Sequence, residues 1–249
     1  MTGLKVMIYE IAHVIKERFS FLWNMVEWGN AALFGMMYGK KMVGLDAVLE
    51  SISSDFRFRV AKESDVKNLV VFFARQPKKA FEFFKPHLFD VKSVRKVVKN
   101  KAFLTFVVSS GDQIVGYFFL RSFVNGKAFR GKMVDRDWQG RGIAKSMGVS
   151  MTKASQHMGL RMFGSISPEN FASMSSAKAS NDIKVLKTLE NGYFYIEFLP
   201  KCTDNQFVKN NLGGGEKRLV VSDSTSGVTR LVYLSVERVA IVPQLNIAA

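Results

Sequence analysis

The sequence predicts a mixed α/β (α+β) domain: a central, largely antiparallel sheet flanked by helices, with a helical extension before it and a β extension after it. Three observations carry this expectation. Apolar runs at Ala102–Ser109, Gln113–Phe123 and Ala128–Asp135 are joined by the tight-turn pairs Gly111-Asp112 and Asn125-Gly126, the pattern of an antiparallel meander. Stretches with helical spacing lie on both sides of that meander. A glycine-rich turn then links its last strand to a long helix, Gly142–Met158, with a further strand at Leu160–Ser165.

The elements follow in order. Val6, Ile11, Val14, Ile15, Phe19, Leu22 and Val26 recur at steps of three and four, which predicts an amphipathic helix over 3–27. Trp23, Trp28, Phe34 and Tyr38 follow, then Lys40 and Lys41. Such a run suits either a membrane interface or packing on the main domain or a second subunit, so peripheral membrane contact and a homodimer both stay open. Asn24, Glu27, Asn30 and three glycines make the Phe19–Gly39 run a poor spanning segment. Ser51–Asp55 is a polar hinge, placing an N-terminal extension at 1–52, a central domain at 53–200 and a C-terminal extension at 201–249.

Phe56–Val60 alternates as a half-buried strand does. Ser64 is placed to cap a helix carrying Val66, Leu69, Val70 and Phe73. Short helices are expected at Pro77–Phe84 and Val91–Val98. After Leu160–Ser165 comes a helix over Glu169–Ser180, ended by Asn181 in the left-handed conformation. Asp182–Leu189 and Tyr193–Leu199 form a hairpin around Asn191-Gly192. In the tail, Lys217–Val221 is expected to pair with Thr229–Val236 beyond the Gly213–Gly215 joint, and Ile241–Ile247 is apolar.

Composition limits the function classes. With 249 residues, 47% hydrophobic and 12% aromatic, the chain is globular rather than disordered. Cys202 is the single cysteine and His13, His87 and His157 are far apart, so neither a disulfide nor a metal site is expected. No secretory signal pattern is evident, and a cytoplasmic location, at most at the inner face of the membrane, is expected. The formal charge is +15, and nearly all the excess falls between residues 53 and 200. That favours an anionic partner. Nucleic acid is not the expected one, because no nucleic-acid motif is present.

The informative segment is Val134–Ala144, Val-Asp-Arg-Asp-Trp-Gln-Gly-Arg-Gly-Ile-Ala, where a strand ends and a helix begins. Glycines let the backbone turn sharply there and approach a ligand. The first helical turn offers unpaired N–H groups and a partial positive charge, and Arg141 and Lys145 add to it, which suits a pyrophosphate. The spacing is neither that of a Walker loop nor that of a dinucleotide fingerprint.

Here the sequence resembles the GNAT (general N-acetyltransferase) family, whose coenzyme-binding pattern is Gln/Arg-x-x-Gly-x-Gly/Ala. Gln139, Gly142 and Ala144 fill that pattern in order, and Asn170-Phe-Ala-Ser173 follows the next strand, where the family often has Asn-x-x-Ser. The element order agrees from Phe56 to about Leu199. The resemblance implies a GNAT-like sheet and acetyl-CoA as co-substrate. It implies that the backbone of Gln139, Gly140, Arg141, Gly142, Ile143 and Ala144, with Lys145, holds the pyrophosphate. The strand ending at Val134 would splay from Leu160–Ser165, freeing backbone groups of Met133 and Val134 for the pantetheine arm. Asn170 and Ser173 would reach the coenzyme or the site wall. Direct acetyl transfer to an amine is the implied reaction, with an N–H near Val134 on the oxyanion.

The sequence departs from the family at the catalytic end. Many members place a tyrosine where Ala177 stands, and Gly-Phe where Asn181-Asp182 stand. The strand at 128–134 has no glutamate base, only Arg130 and Lys132. Asp135, Glu169 and His87 are the remaining candidates for acid–base work. The run Phe83–Asp90, with Pro86-His87 and then an acidic residue, resembles acetyltransferases associated with cell-surface polysaccharide gene clusters. That resemblance implies an amino-sugar acceptor, nucleotide- or lipid-linked. A protein or peptide amine, or a non-catalytic acyl-CoA sensor, is the alternative.

Overall fold

A computed structural model describes residues 20–52, 55–201, 232–235 and 238–241. Residues up to Lys201 form one unit and those from Cys202 a second. The first unit is built on a seven-stranded sheet. Its strands are β1 (Arg57–Val60), β2 (Phe103–Ser110), β3 (Gln113–Ser122), β4 (Lys127–Val134), β5 (Arg161–Ile166), β6 (Asn181–Thr188) and β7 (Phe194–Pro200). Their spatial order is β1-β2-β3-β4-β5-β7-β6. Only β4 and β5 pair in parallel; every other neighbour in this sheet is antiparallel.

The helices are α1 (Ser20–Met42), α2 (Leu45–Glu50), α3 (Val66–Ala74), α4 (Val91–Lys99), α5 (Ile143–Met158) and α6 (Phe171–Ser180). They divide between the two faces of the sheet, so the central strands are apolar on both sides. Successive residues of β3 show this: Phe118 and Leu120 join one core with Met147 and Met151 of α5, while Tyr117 and Phe119 join another with Leu69, Phe72 and Phe73 of α3. The extension before the hinge shares the first core through Phe34, Leu45 and Leu49. Polar ties reinforce it: Asn30 Nδ2 donates to the Ser122 carbonyl at 3.0 Å, and Lys41 Nζ to that of Met158 at 3.1 Å. The outer side of α1 leaves Trp28 and Met36 about three-quarters exposed. Among the described residues, no helix is long and apolar enough to cross a membrane.

Several local expectations need correction. The Ser64 cap is absent. A 3-10 turn spans Glu63–Asp65, and Asp65 organises it, accepting from the Lys62 N–H at 2.7 Å and from both Arg59 guanidinium nitrogens. Arg59 in turn holds the Asp65 carboxyl below the usual carboxylate range against the effect of burial. Pro77–Phe84 contains only a 3-10 turn, Lys78–Phe81. Asn181 is extended (φ −143°) rather than left-handed, and starts β6 directly. Its side chain explains why: Nδ2 donates to Thr152 Oγ1 at 2.6 Å and to the Leu199 carbonyl at 3.0 Å, and Oδ1 accepts from Arg130 at 2.7 Å, which holds the side chain from three sides. Residues 3–19 of the expected N-terminal helix lie outside the described residues, and α1 runs on to Met42 rather than ending near Glu27.

The second unit is described as one hairpin, β8 (Val232–Ser235) with β9 (Arg238–Ile241), in register from Val232↔Ile241 to Ser235↔Arg238. The expected partner, Lys217–Val221, lies outside the described residues; among the described ones β8 pairs with β9.

Helices α5 and α6 cross closely at Gly148, where an added Cβ would run into the Ser180 side chain. Gly148→Ala is expected to lower the urea midpoint at unchanged slope. Overpacking costs about 1–3 kcal/mol, more than the roughly 1 kcal/mol that alanine gains in helix propensity. A raised midpoint would show that the two helices are not so tightly apposed.

Candidate active site

The site starts where β4 ends. Asp135 is buried, and its N–H continues the sheet by donating to the Val115 carbonyl at 2.9 Å. Its carboxylate is ion-paired with Arg75 and accepts from Gln76 Nε2 at 3.2 Å and from the Asp137 N–H at 3.0 Å. These bonds bend the chain into a 3-10 turn, Arg136–Trp138. Gly140 (φ +78°) and Gly142 (φ +77°) then take left-handed conformations that favour glycine, and α5 begins at Ile143. No side chain caps α5, and its first turn holds no acid. The Lys145 N–H turns back to the Gly142 carbonyl at 3.0 Å, which leaves the Ile143 and Ala144 amides at the positive helix end without a side-chain cap. Arg141 lies over the Trp138 ring at 4.5 Å, bracing the turn from outside.

The second feature is a parting of the sheet. β4 and β5 pair only at Lys127↔Arg161, Ala128↔Met162 and Phe129↔Phe163. Beyond Phe129 the two strands separate, and a cleft of about 1290 Å³ opens from the parting to the glycine turn. Met133, Val134, Gln139, Gly140, Gly142, Ile143, Ala144, Lys145, Asn170 and Ser173 all line it. Arg141, alone of the sequence-selected coenzyme residues, does not. Asn170 caps α6, its Oδ1 accepting from the Ser173 N–H at 3.0 Å, so that oxygen is already committed within the protein. Phe84, Phe119, Phe129 and Tyr193 form aromatic walls farther in, and Lys79, Lys85 and Arg121 are basic.

The three candidate acid–base residues are not brought to this cleft. Asp135 is consumed by its ion pair and two further hydrogen bonds, so it is an anchor of the turn. Glu169 is exposed on the turn before α6. His87 lines a separate pocket of about 650 Å³ under α1. Its Nδ1–H donates to the Leu88 carbonyl at 2.7 Å and its Nε2 accepts from the buried Tyr117 hydroxyl at 2.8 Å, inside a ring of phenylalanines. Burial pushes the His87 pKa down and keeps the ring neutral. Capping of α4 falls to Asp90, which accepts from the Ser93 N–H at 3.0 Å.

Sequence reasoning misses two side chains that the fold places in the cleft. Arg130 and Lys132 are two apart on β4 and so share one face. Arg130 donates to Asn181 Oδ1 at 2.7 Å and lies 3.3 Å from the centre of the Phe198 ring. Lys132 Nζ donates to the Ala144 carbonyl at 2.7 Å and to Ser176 Oγ at 2.5 Å. Neither forms an ion pair among the described residues. Burial without a counter-charge brings Arg130 down to about 9; burial, with Arg130 adjacent, brings Lys132 down to about 7. The one available signal was a pair of cations at strand spacing in a strand that ends a buried meander.

No family model matches the sequence, and no curated protein does. Solved structures do. The GNAT domain of S. lividans PAT has a TM-score of 0.51 at 19% identity, over 57% of this chain and 89% of that one. The likeness establishes that this chain has the GNAT fold. A GNAT-family acetyltransferase from Streptococcus pneumoniae (TM-score 0.47, 12% identity, 58% of this chain and 99% of that one) is a weaker match. So is the PaiA N-acetyltransferase from Thermoplasma acidophilum in complex with coenzyme A (0.48, 13%, 59% and 99%).

The depressed Lys132 pKa has a consequence for stability. Below about pH 7 the lysine is charged both folded and unfolded, and folding bears the full cost of burying it. Between about 7 and the ordinary lysine value near 10.4, the unfolded chain holds a proton that the folded chain has lost, so wild-type stability rises with pH. The unfolding midpoint of Lys132→Met relative to wild type should therefore stand highest near about pH 6 and fall by about pH 10. A difference that is flat or increases with pH would contradict the buried, uncompensated charge.

Proposed function

We propose that the chain is an N-acetyltransferase that moves an acetyl group from acetyl-CoA directly to an amine. One observation carries this reading: the uncapped glycine turn at Gly140–Ile143 opens into the same cleft as the parted edges of β4 and β5. The turn supplies amides and helix charge for a pyrophosphate, with Lys145 and Arg136 beside it. The parting supplies a backbone edge for an amide-bearing arm. Between Gly131 and Val134 that edge faces no β5 partner, so its groups suit the pantetheine amides and the thioester.

In this reading the chain's contribution is mainly positioning. A thioester held against β4 and an amine held in the aromatic-walled part of the cleft become an intramolecular pair. For the acceptor, an amine carried by a sugar fits the walls, since flat apolar rings stack on sugar faces. Lys79, Lys85 and Arg121 suit a phosphorylated carrier such as a sugar nucleotide. A protein or peptide amine is the alternative acceptor class.

Calorimetric titration with acetyl-CoA and free CoA tests the reading. We expect binding in the micromolar range, lost by at least about tenfold in Gly142→Glu, which sets bulk and negative charge in the cradle. A left-handed non-glycine residue costs roughly 1–2 kcal/mol, so the variant should remain folded. Absence of binding to the intact protein, or equal binding by the folded variant, would overturn the assignment.

A further inference from the structure

We propose that Lys132 is the catalytic proton donor to the thiolate that leaves when the acetyl group is transferred, with Ser176 holding its ammonium in place. The inference rests on the acetyltransferase reading and adds a residue to it. Its basis is position. Lys132 lies on β4 past the last residue paired with β5, so it belongs to the parted section of the strand. It lines the cleft, and its Nζ is held between the Ala144 carbonyl, one residue into α5, and Ser176 Oγ on α6. A thioester that enters past the glycine turn and runs along β4 must pass this ammonium.

The electrostatic surroundings fit a group that gives up a proton. The charged neighbour on its own strand is Arg130; α5 contributes a carbonyl and α6 a hydroxyl, and Arg136 and Lys145 line the same cleft. Glu82, the one carboxylate in that lining, makes no ion pair with it. A buried cation so placed is stabilised by an arriving negative charge, which a departing thiolate provides. An ordinary lysine would be too weak an acid to protonate a thiolate, whose conjugate thiol has a pKa of about 8.5. Brought down to about 7, Lys132 is a strong enough one.

The step balances. The acceptor nitrogen bonds to the acyl carbon, the carbon–sulfur bond breaks, and the sulfur takes a proton from Lys132 Nζ. The nitrogen loses one proton, which returns through solvent to Lys132. The products are an amide and a free thiol.

The test compares wild type with Lys132→Met, Lys132→Arg and Ser176→Ala, each first titrated with CoA by calorimetry. Release of the thiol is followed against pH: in wild type it should fall as the pH rises through about 7, where Lys132 loses its proton, and Lys132→Met should lack that fall. Lys132→Arg, which keeps the charge but is too weak an acid, should behave as Lys132→Met does. With acetyl-CoA and hydroxylamine, an amine that is already neutral, thiol release should fall about 10²-fold in Lys132→Met and less in Ser176→Ala. The same pH profile in wild type and Lys132→Met, or equal rates in the two, overturns the proposal while leaving the acetyltransferase reading intact. Failure of wild type to bind CoA, or binding without any thiol release, overturns that reading, and the proposal with it.

Discussion

Parallel pairing of β4 with β5 stops after Phe129, and most of the molecule's arrangement either produces that parting or uses it. A sheet edge opened in the interior leaves backbone donors and acceptors without strand partners, which is costly unless something replaces them. The surrounding structure holds the opening in place. β4 stays registered with β3 over its whole length, from Ser122↔Ala128 to Gly116↔Val134. β5 is held instead by β7, from Met162↔Phe198 to Ile166↔Phe194. The two halves of the sheet are thus each complete on their outer side and free on the inner one. Helices α5 and α6, locked together at Gly148 and Ser180, roof the gap.

The cradle at the mouth of the parting depends on the same economy. A buried carboxylate, Asp135, turns the chain at the end of β4, and two left-handed glycines complete the turn so that α5 starts with no capping side chain. A helix start normally finds a Ser, Thr, Asp or Asn to satisfy its first amides. Here no side chain does so, while α6, a few residues after β5, is capped by Asn170 in the ordinary way. In the proposed function, this contrast between the two helix starts leaves the first of them for an anionic ligand.

Much of this was legible in the residues. The tight-turn pairs set the meander, and Gly140 and Gly142 before a helical run set the cradle. The acid–base residues were not legible, because their roles depend on contacts far away in sequence. Asp135 stands next to the cradle in the chain, yet Arg75 and Gln76, about sixty residues earlier, take its carboxylate. His87 follows a suggestive Pro86, but β3 supplies Tyr117 to fix its ring in another pocket. Asn181 has the local preference for a left-handed cap, and Thr152 and Leu199 overrule it. Nothing in its neighbours along the chain marks Lys132; only the roofing by α5 and α6 makes it a buried cation with no ion-pair partner among the described residues.

Amide hydrogen exchange with and without CoA tests the central claim most directly, since it reads the parting and the cradle together. The account predicts new protection at Gly140–Lys145 and at Gly131–Val134, with the amides of α2 and β1 unchanged. Protection confined to α1 and the His87 pocket, or none at saturating CoA, would contradict it.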